Sequence, residues 1–218
     1  MLFRDRVDAG QKLAKIIPED RYQNAVVLAI PRGGVVVGAQ IAKALSISLD
    51  LVIPRKIGAP KNPEMAVGGV AQDGTAIYTQ SLLTYLKLTA EELTAMIEEQ
   101  IAEIHRRMTY YRGTSTYPSY TGKKIIVVDD GVATGYTVRA ALRSVKKMFE
   151  PPEITLAVPV GPPDTIDELS FEVDHLFCLY KPLYFQAVGQ FYNDFTQTTD
   201  EEVILLWREL SSQSNHSI

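Results

Sequence analysis

The sequence has few of the residues and segments that define several classes of protein. One cysteine in 218 residues excludes a disulfide scaffold, and three histidines without a shared spacing provide no zinc motif. No apolar run approaches the roughly 20 residues that a membrane span requires. Five charged side chains fall within the first 12 residues, where a signal peptide would have an apolar core. We therefore expect a cytoplasmic protein with no membrane segment.

An excess of positive charge is also missing. Lys and Arg number 22 against 26 Asp and Glu, so the formal net charge is −4. This balance, with no helix-turn-helix segment, argues against a nucleic-acid partner but allows a small charged ligand at one local site. Apolar residues make up 46% of the chain, which is enough for one sizeable core. We predict a single domain over residues 1–218.

Short apolar runs alternate with amphipathic segments through most of the chain. The predicted strands, apolar enough to be buried on both faces, cover residues 25–30, 49–53, 124–128, 154–158 and 176–179. The predicted helices between them include residues 35–45 and 138–149. This alternation predicts an α/β fold with a doubly wound, mostly parallel sheet, whose core covers about residues 20–179.

Two additions interrupt this core. Asp73-Gly74 between short apolar runs predicts a hairpin over residues 66–79 at the edge of the parallel sheet. A capping box at Thr89 and Glu92 starts a long helix that is expected to end near Arg107. We assign this helix to an inserted region of about residues 81–121.

The third addition follows the last predicted strand. Residues 180–195 are rich in aromatic side chains, and a second capping box at Thr199 and Glu202 precedes a final amphipathic helix. We predict that residues 180–212 form a small C-terminal hood and helix.

The segment most indicative of function is the end of the third predicted strand. An apolar run stops at two adjacent acids, Asp129 and Asp130, and a turn of small residues leads into a helix. In an open α/β sheet, ligands bind beyond the carboxyl ends of the strands, and a helix start offers backbone N–H groups to a phosphate. Two adjacent carboxylates would repel each other and a phosphate bound beside them. The vicinal hydroxyls of a sugar, with a divalent cation nearby, would compensate this repulsion.

This segment resembles the phosphoribosyl pyrophosphate (PRPP) signature of type I phosphoribosyltransferases. The resemblance implies the type I phosphoribosyltransferase fold, with Asp129 and Asp130 on the ribose hydroxyls and also available to Mg2+, which binds mainly through substrate oxygens. The turn that would surround the 5′-phosphate consists of Gly131, Val132, Ala133, Thr134, Gly135, Tyr136 and Thr137. A Gly-Lys-Ser/Thr element is missing, which excludes a Walker-type nucleotide loop.

Two further segments fit the same family. The turn after its first core strand contacts pyrophosphate, and here that turn is Pro31, Arg32, Gly33 and Gly34. A mobile loop after the second core strand closes over the pyrophosphate in this family. Residues 55–65 are rich in Pro, Gly and Lys, and we predict that they form this loop with Arg55, Lys56 and Lys61 as cationic contacts. The expected catalytic residues are Asp129, Asp130, Arg32 and Lys56.

The implied activity is transfer of the 5-phosphoribosyl group of PRPP to a nitrogen acceptor, with Mg2+ assisting pyrophosphate release. We expect a nucleobase-like acceptor, with Phe185 and Tyr192 as candidates for stacking on it. In the 6-oxopurine branch an acid acts as general base where this chain has Ala133, which counts against hypoxanthine or guanine. Family members commonly form homodimers, although no pattern here identifies an interface.

Two other functions are compatible with the fold. A regulator that senses PRPP or a nucleotide could keep the motif at Asp129 and Asp130 without transfer. Arg32 and the basic loop are needed mainly for pyrophosphate departure, so their presence favours an enzyme. A nucleotide hydrolase would need a positioned water or nucleophile, and the sequence offers no candidate.

Overall fold

The computed structural model describes residues 2–60 and 62–211. Its helices are α1 Arg6–Ala14, α2 Gly33–Leu45, α3 Gln80–Tyr85, α4 Ala90–Arg112, α5 Tyr136–Phe149, α6 Pro163–Ser170 and α7 Asp200–Ser211. Its strands are β1 Ala25–Ala29, β2 Ser48–Leu51, β3 Arg55–Ala59, β4 Asn62–Val70, β5 Ala76–Tyr78, β6 Lys124–Val128, β7 Ile154–Val160 and β8 His175–Tyr180. Among the described helices, none combines the length and apolarity needed to cross a membrane.

The main sheet is five-stranded and parallel, in the order β2-β1-β6-β7-β8. Alternate residues of β1 enter different cores: Val27 and Ala29 pack with α1, α2 and α7, whereas Val26 and Leu28 pack with α5 and α6. Every residue of β1 is buried, which explains its continuous apolar run. The predicted doubly wound α/β fold is therefore confirmed.

Residues 55–65 differ from the prediction. Residues 55–59 form β3 and residues 62–65 lie in β4, and the two strands pair antiparallel with Arg55 opposite Val70 and Ile57 opposite Gly68. The strand register shifts on either side of Gly58, so this pair of strands is irregular although it is hydrogen-bonded. Ile57 is 1% exposed and joins the core beside α1, α2 and α7, so burial fixes this segment despite its Pro and Gly content. The prediction of an irregular loop was wrong.

The predicted hairpin exists, but in another place. β4 and β5 pair antiparallel with Gly69 opposite Ile77, and Asp73 and Gly74 form the turn. Together with β3 they make a separate three-stranded sheet in the order β3-β4-β5, so the hairpin does not extend the edge of the parallel sheet. Asp73-Gly74 between two apolar runs predicted that β4 and β5 pair, but it did not indicate which sheet they belong to.

Helix α4 begins as predicted and ends later. The Thr89 hydroxyl accepts from Glu92 N–H at 3.2 Å, and the Glu92 carboxylate accepts from Thr89 N–H at 2.9 Å. The helix continues beyond Arg107 because Met108 and Tyr111 are buried at 0% and 3% exposure. It ends at Arg112 and is capped by Gly113, whose φ of 72° is left-handed.

The C-terminal segment contacts the N-terminus. Phe3 pairs with Tyr192 in an isolated parallel bridge, and their rings lie 5.2 Å apart. Phe191 and Val160 complete a small third core with them. The second capping box is also confirmed, since Glu202 N–H donates to the Thr199 hydroxyl at 3.1 Å. The segment after β8 is therefore fixed by the first residues of the chain.

Candidate active site

The candidate site lies where β1 and β6 end side by side. The strands are parallel neighbours with Ala29 opposite Val128, so the turns that follow them leave the same edge of the sheet. The turn after β1 leads through residues 30–32 into α2, and the turn after β6 leads through residues 129–135 into α5. The two segments that the sequence singled out are thus adjacent, as expected for a ligand site in an open α/β sheet.

Two glycines let these turns touch. A Cβ on Gly33 would lie 1.9 Å from the Asp130 Oδ2 atom, and a Cβ on Gly34 would lie 2.9 Å from the Asp129 Cα atom. Neither distance allows a side chain. The peptide bond between Pro31 and Arg32, just before them, is cis. Glycine is therefore required here because the backbone passes directly over the acid pair.

Asp129 and Asp130 share a half-buried position at this edge. Burial raises the pKa of the Asp129 carboxyl well above its usual range, and the neighbouring charge of Asp130 raises it further. Burial also raises the pKa of Asp130, although the charge of Arg6 opposes this shift. Asp129 accepts one hydrogen bond at 2.8 Å from the Asp130 N–H. Hydrogen-bond donors or a cation entering beside these carboxyls would favour their ionised forms.

Arg6 is a site residue that the sequence analysis missed. Its Nε donates to Asp130 Oδ2 at 2.7 Å, and its Nη1 donates to the Thr196 carbonyl at 2.8 Å. Its guanidinium lies 3.9 Å from the centroid of the Phe195 ring. Arg6 comes from α1, 124 positions before Asp130, and no local motif connects them. It links the acid pair to the segment just before α7.

The turn from Gly131 to Thr137 leads into α5 as predicted. Gly135 has a φ of 76° and immediately precedes the helix, a left-handed position that favours glycine. Ala133 and Thr134 are exposed, so their groups are accessible to a ligand. The Val132 N–H, in contrast, already donates to the Val160 carbonyl at 2.9 Å and is not available to a phosphate.

The role of Tyr136 becomes clear from its contacts. Its hydroxyl lies 2.5 Å from Thr79 Oγ1, and a Cβ on Gly69 would lie 2.7 Å from its carbonyl oxygen. Tyr136 therefore joins the start of α5 to the sheet formed by β3, β4 and β5.

The predicted cationic residues separate into different positions. Arg32 lies beside the acid pair and forms an ion pair with Asp200 at 3.5 Å. Arg55 points to α4, where its Nε donates to Gln100 at 2.7 Å. Lys56 is exposed on β3, and Lys61 lies outside the described residues. Of the described members of this set, only Arg32 lines the cavity beside the acid pair.

The two candidates for base stacking are not placed alike. Tyr192 is 2% exposed, and its hydroxyl donates to the Asp130 carbonyl at 2.6 Å. Its ring packs among Phe3 and Phe195 and is not open to a base, which corrects that expectation. Phe185 is half-buried, with its ring 5.5 Å from that of Phe191. The sequence identified the aromatic segment but not which rings pack on each other.

One cavity of about 540 Å³ lies between the turn after β1 and the turn after β6. It is lined by Arg6, Ile30, Pro31, Arg32, Gly33, Pro54, Asp129, Asp130, Thr137, Phe195, Gln197 and Thr198. Six of these residues were predicted from the two turns. The other six come from the N-terminal helix, the residue directly after β1, the segment after β2 and the segment before α7.

Comparison with known proteins identifies the family. A family model described as "Phosphoribosyl transferase domain" matches residues 4–195. A Mycobacterium tuberculosis (strain H37Rv) protein, provisionally named as a phosphoribosyl transferase, is 38% identical over 203 residues, which cover 93% of this chain. The crystal structure of TT1426 from Thermus thermophilus has a TM-score of 0.78 at 36% identity, covering 97% of this chain and all of that one. The chain belongs to the phosphoribosyl transferase family.

The relatives differ in extent. This chain matches 46% of the length of the Mycobacterium tuberculosis protein. A shorter match, 47% identical over 47 residues, links 22% of this chain to 26% of the "Bifunctional protein PyrR" of Halalkalibacterium halodurans. The family assignment therefore rests on nearly the whole of this chain and on about half of the longer relative.

Proposed function

We propose that this protein transfers the 5-phosphoribosyl group of PRPP to a nitrogen acceptor and releases diphosphate. The observation that carries the proposal is that the acid pair, the turn at Arg32 and Gly33, and Thr137 all line the same cavity. The three parts of PRPP would each have suitable partners there: the acid pair for the ribose, the turn at Arg32 for the diphosphate, and Thr137 for the 5′-phosphate. Family membership over residues 4–195 supports the same reaction.

The acid pair would hold the ribose. Two vicinal hydroxyls can donate to the carboxylates of Asp129 and Asp130, which accept when ionised. The ion pair with Arg6 at 2.7 Å favours the ionised form of Asp130. As diphosphate departs, positive charge develops at the anomeric carbon, and these fixed carboxylates stabilise it more than they stabilise the neutral sugar.

The start of α5 would hold the 5′-phosphate. Backbone N–H groups at a helix start point outward, and the helix dipole favours an anion there. The exposed turn at Ala133 and Thr134, with Thr137 on the cavity wall, offers further donors. Holding the phosphate at one end and the diphosphate at the other aligns the ribose between them.

Arg32 and the backbone at Gly33 would bind the diphosphate. A guanidinium is permanently charged, and its planar fork matches phosphate oxygens. Asp129 and Asp130 supply two carboxylates, the oxygen ligands that Mg2+ prefers. No cluster of three or more metal-binding side chains occurs among the described residues. When bound there, Mg2+ would supply positive charge to the departing diphosphate.

The acceptor would enter the cavity beside the acid pair. Arg6 contacts Asp130 and stacks on Phe195, and both side chains line the cavity, where they would limit the access of water to the ribosyl centre. We propose a flat, nucleobase-like acceptor, because Phe195 contributes an aromatic ring to the cavity wall. Its nitrogen attacks the anomeric carbon from the face opposite the leaving diphosphate.

The direct test is an incubation with PRPP, Mg2+ and pooled nitrogen acceptors, with products measured by mass spectrometry. A nucleotide product is expected with the wild-type protein, and its mass identifies the acceptor. The double variant Asp129→Asn/Asp130→Asn should lose transfer while keeping its fold by circular dichroism. The control Asp20→Asn changes an exposed carboxyl far from the cavity and should transfer normally. Unchanged turnover in the double variant would refute the assignment of the acid pair.

A further inference from the structure

A second cavity, rich in arginine, lies on the other side of the turn at Pro31 and Arg32. Its volume is about 190 Å³, several times the roughly 30 Å³ that one water molecule occupies in the liquid. It is lined by Pro31, Arg32, Arg106, Arg107, Tyr110, Tyr111 and Asp200. Because Pro31 and Arg32 line both cavities, the second cavity adjoins the proposed diphosphate position.

The arginines beside this cavity have too few carboxylates to neutralise them. Glu103 is shared by Arg106 at 2.6 Å, Arg107 at 2.8 Å and Arg55 at 3.8 Å. Hydrogen bonds from the first two lower the pKa of Glu103 to about 2, so it is fully ionised at neutral pH and still balances only one positive charge.

Asp200 is similarly divided. It accepts from the Tyr111 hydroxyl at 2.6 Å and lies 3.5 Å from Arg32. The three arginines that line this cavity, Arg32, Arg106 and Arg107, therefore share two carboxylates, Asp200 and Glu103, which leaves a net positive charge. Positive, polar walls of this kind suit an anion and not a flat apolar base.

We infer that Arg106 and Arg107 of helix α4 bind the terminal phosphate of the diphosphate group, with Arg32 as the wall shared with the first cavity. This inference rests on the proposed function and extends the diphosphate contacts to a helix outside the parallel sheet. It gives the long insertion a role in binding. Arg107, whose side chain is 34% exposed, can turn part of its guanidinium from Glu103 to a phosphate oxygen.

The inference is tested by titration calorimetry with Mg2+ and three probes: PRPP, inorganic diphosphate and ribose 5-phosphate. The variant is Arg106→Gln/Arg107→Gln. The matched control is Arg21→Gln, because Arg21 also makes a two-bond ion pair, with Glu153, but lies before β1 at the opposite end of the sheet. We expect the double variant to bind PRPP and diphosphate at least about tenfold more weakly, since charge-assisted hydrogen bonds are lost. Ribose 5-phosphate and the control should be unaffected.

A further variant separates binding from a purely structural role. Glu103→Gln removes the carboxylate that orients both arginines but keeps their charges, so it should retain diphosphate affinity. An equal loss in Glu103→Gln, or an unchanged affinity in the arginine double variant, would overturn the inference. An equal loss of ribose 5-phosphate binding in the double variant would also overturn it. If the wild-type protein bound neither PRPP nor diphosphate, the proposed function itself would fail.

Discussion

At the scale of single residues, the carboxylate of Asp50 joins three parts of the chain. It accepts from Arg112 Nε at 2.7 Å and Nη2 at 2.8 Å, from the Tyr120 hydroxyl at 2.5 Å, and from Trp207 Nε1 at 2.9 Å. Its side chain is 6% exposed and that of Arg112 is 2% exposed. One buried polar network therefore connects strand β2 to the end of α4, to the segment before β6 that carries Tyr120, and to helix α7.

Asp50→Ala should lower the free energy of unfolding by about 3–5 kcal/mol, because it leaves the Arg112 guanidinium buried without its counter-charge. Urea unfolding followed by circular dichroism measures the change. Replacing both partners, in Asp50→Leu/Arg112→Met, should cost less than the single substitution, since no charge then remains buried. Equal stability of Asp50→Ala and the wild type would contradict this account of the network.

Arg6 affects the site more than the stability of the core. Arg6→Gln removes the cation that pairs with Asp130 and the contact with the Thr196 carbonyl. We expect PRPP affinity to fall about tenfold, as for the loss of one charged hydrogen-bonding partner. Calorimetry gives the affinity, and Arg4→Gln is a suitable control because the Arg4 side chain is 70% exposed. An affinity equal to that of the wild type would show that Arg6 does not support Asp130.

At the scale of elements, helix α4 carries its own pH dependence. The pKa of Glu103 is about 2 in the folded protein, lowered by hydrogen bonds from Arg106 and Arg107, against about 4.3 in an unfolded chain. The stabilisation is therefore present above about pH 4.3 and is lost as the pH falls toward 2. An ion pair this exposed contributes about 1 kcal/mol or less.

The difference in unfolding free energy between the wild type and Glu103→Gln should accordingly be constant from pH 5 to 8 and shrink below about pH 4. Urea titrations at several pH values measure it. Glu98→Gln, an exposed position on the same helix, should show no such trend. A difference that stays constant down to pH 3 would rule out this origin of the stabilisation.

Helices and strands with a local sequence signal, such as an apolar run or a capping box, were predictable from the sequence. Those that depend on contacts between distant parts of the chain were not. The strands β1 and β6 follow from continuous apolar runs, and both capping boxes mark helix starts within three residues. The pairing of β3 with β4 depends on the burial of Ile57. The Pro and Gly residues of this segment indicated a loop, so the sequence did not predict this pairing. Helix α6, a short segment beginning at Pro163, was not predicted at all.

The candidate site shows the same division. Asp129, Asp130 and the turn at Arg32 stand in recognisable motifs, so the sequence identified them. Arg6 and the segment of Phe195 to Thr198 enter the cavity only through tertiary packing. No spacing rule relates residues that are nearly two hundred positions apart.

At the scale of the whole molecule, ligand binding should stabilise the fold. PRPP with Mg2+ would contact groups from α1, both turns and the start of α5, and a ligand at 100 times its Kd adds about 2.7 kcal/mol to the free energy of unfolding. We expect a clear rise in Tm by scanning calorimetry. Chelating the metal should reduce the rise, and Asp129→Asn/Asp130→Asn should abolish it. No rise with the wild type would contradict binding of PRPP.

The bridge between Phe3 and Tyr192, with the contact from Arg6 to Thr196, also orders events during synthesis. A nascent chain that has emerged as far as β8 contains the whole parallel sheet and the acid pair, but it lacks Thr196, whose carbonyl accepts a hydrogen bond from Arg6. Contacts of such long sequence separation form late, because a large loop must close first. The ribosome-bound chain would therefore fold its sheet before it acquires a competent cavity, and activity would begin only after residues 195–198 leave the exit tunnel.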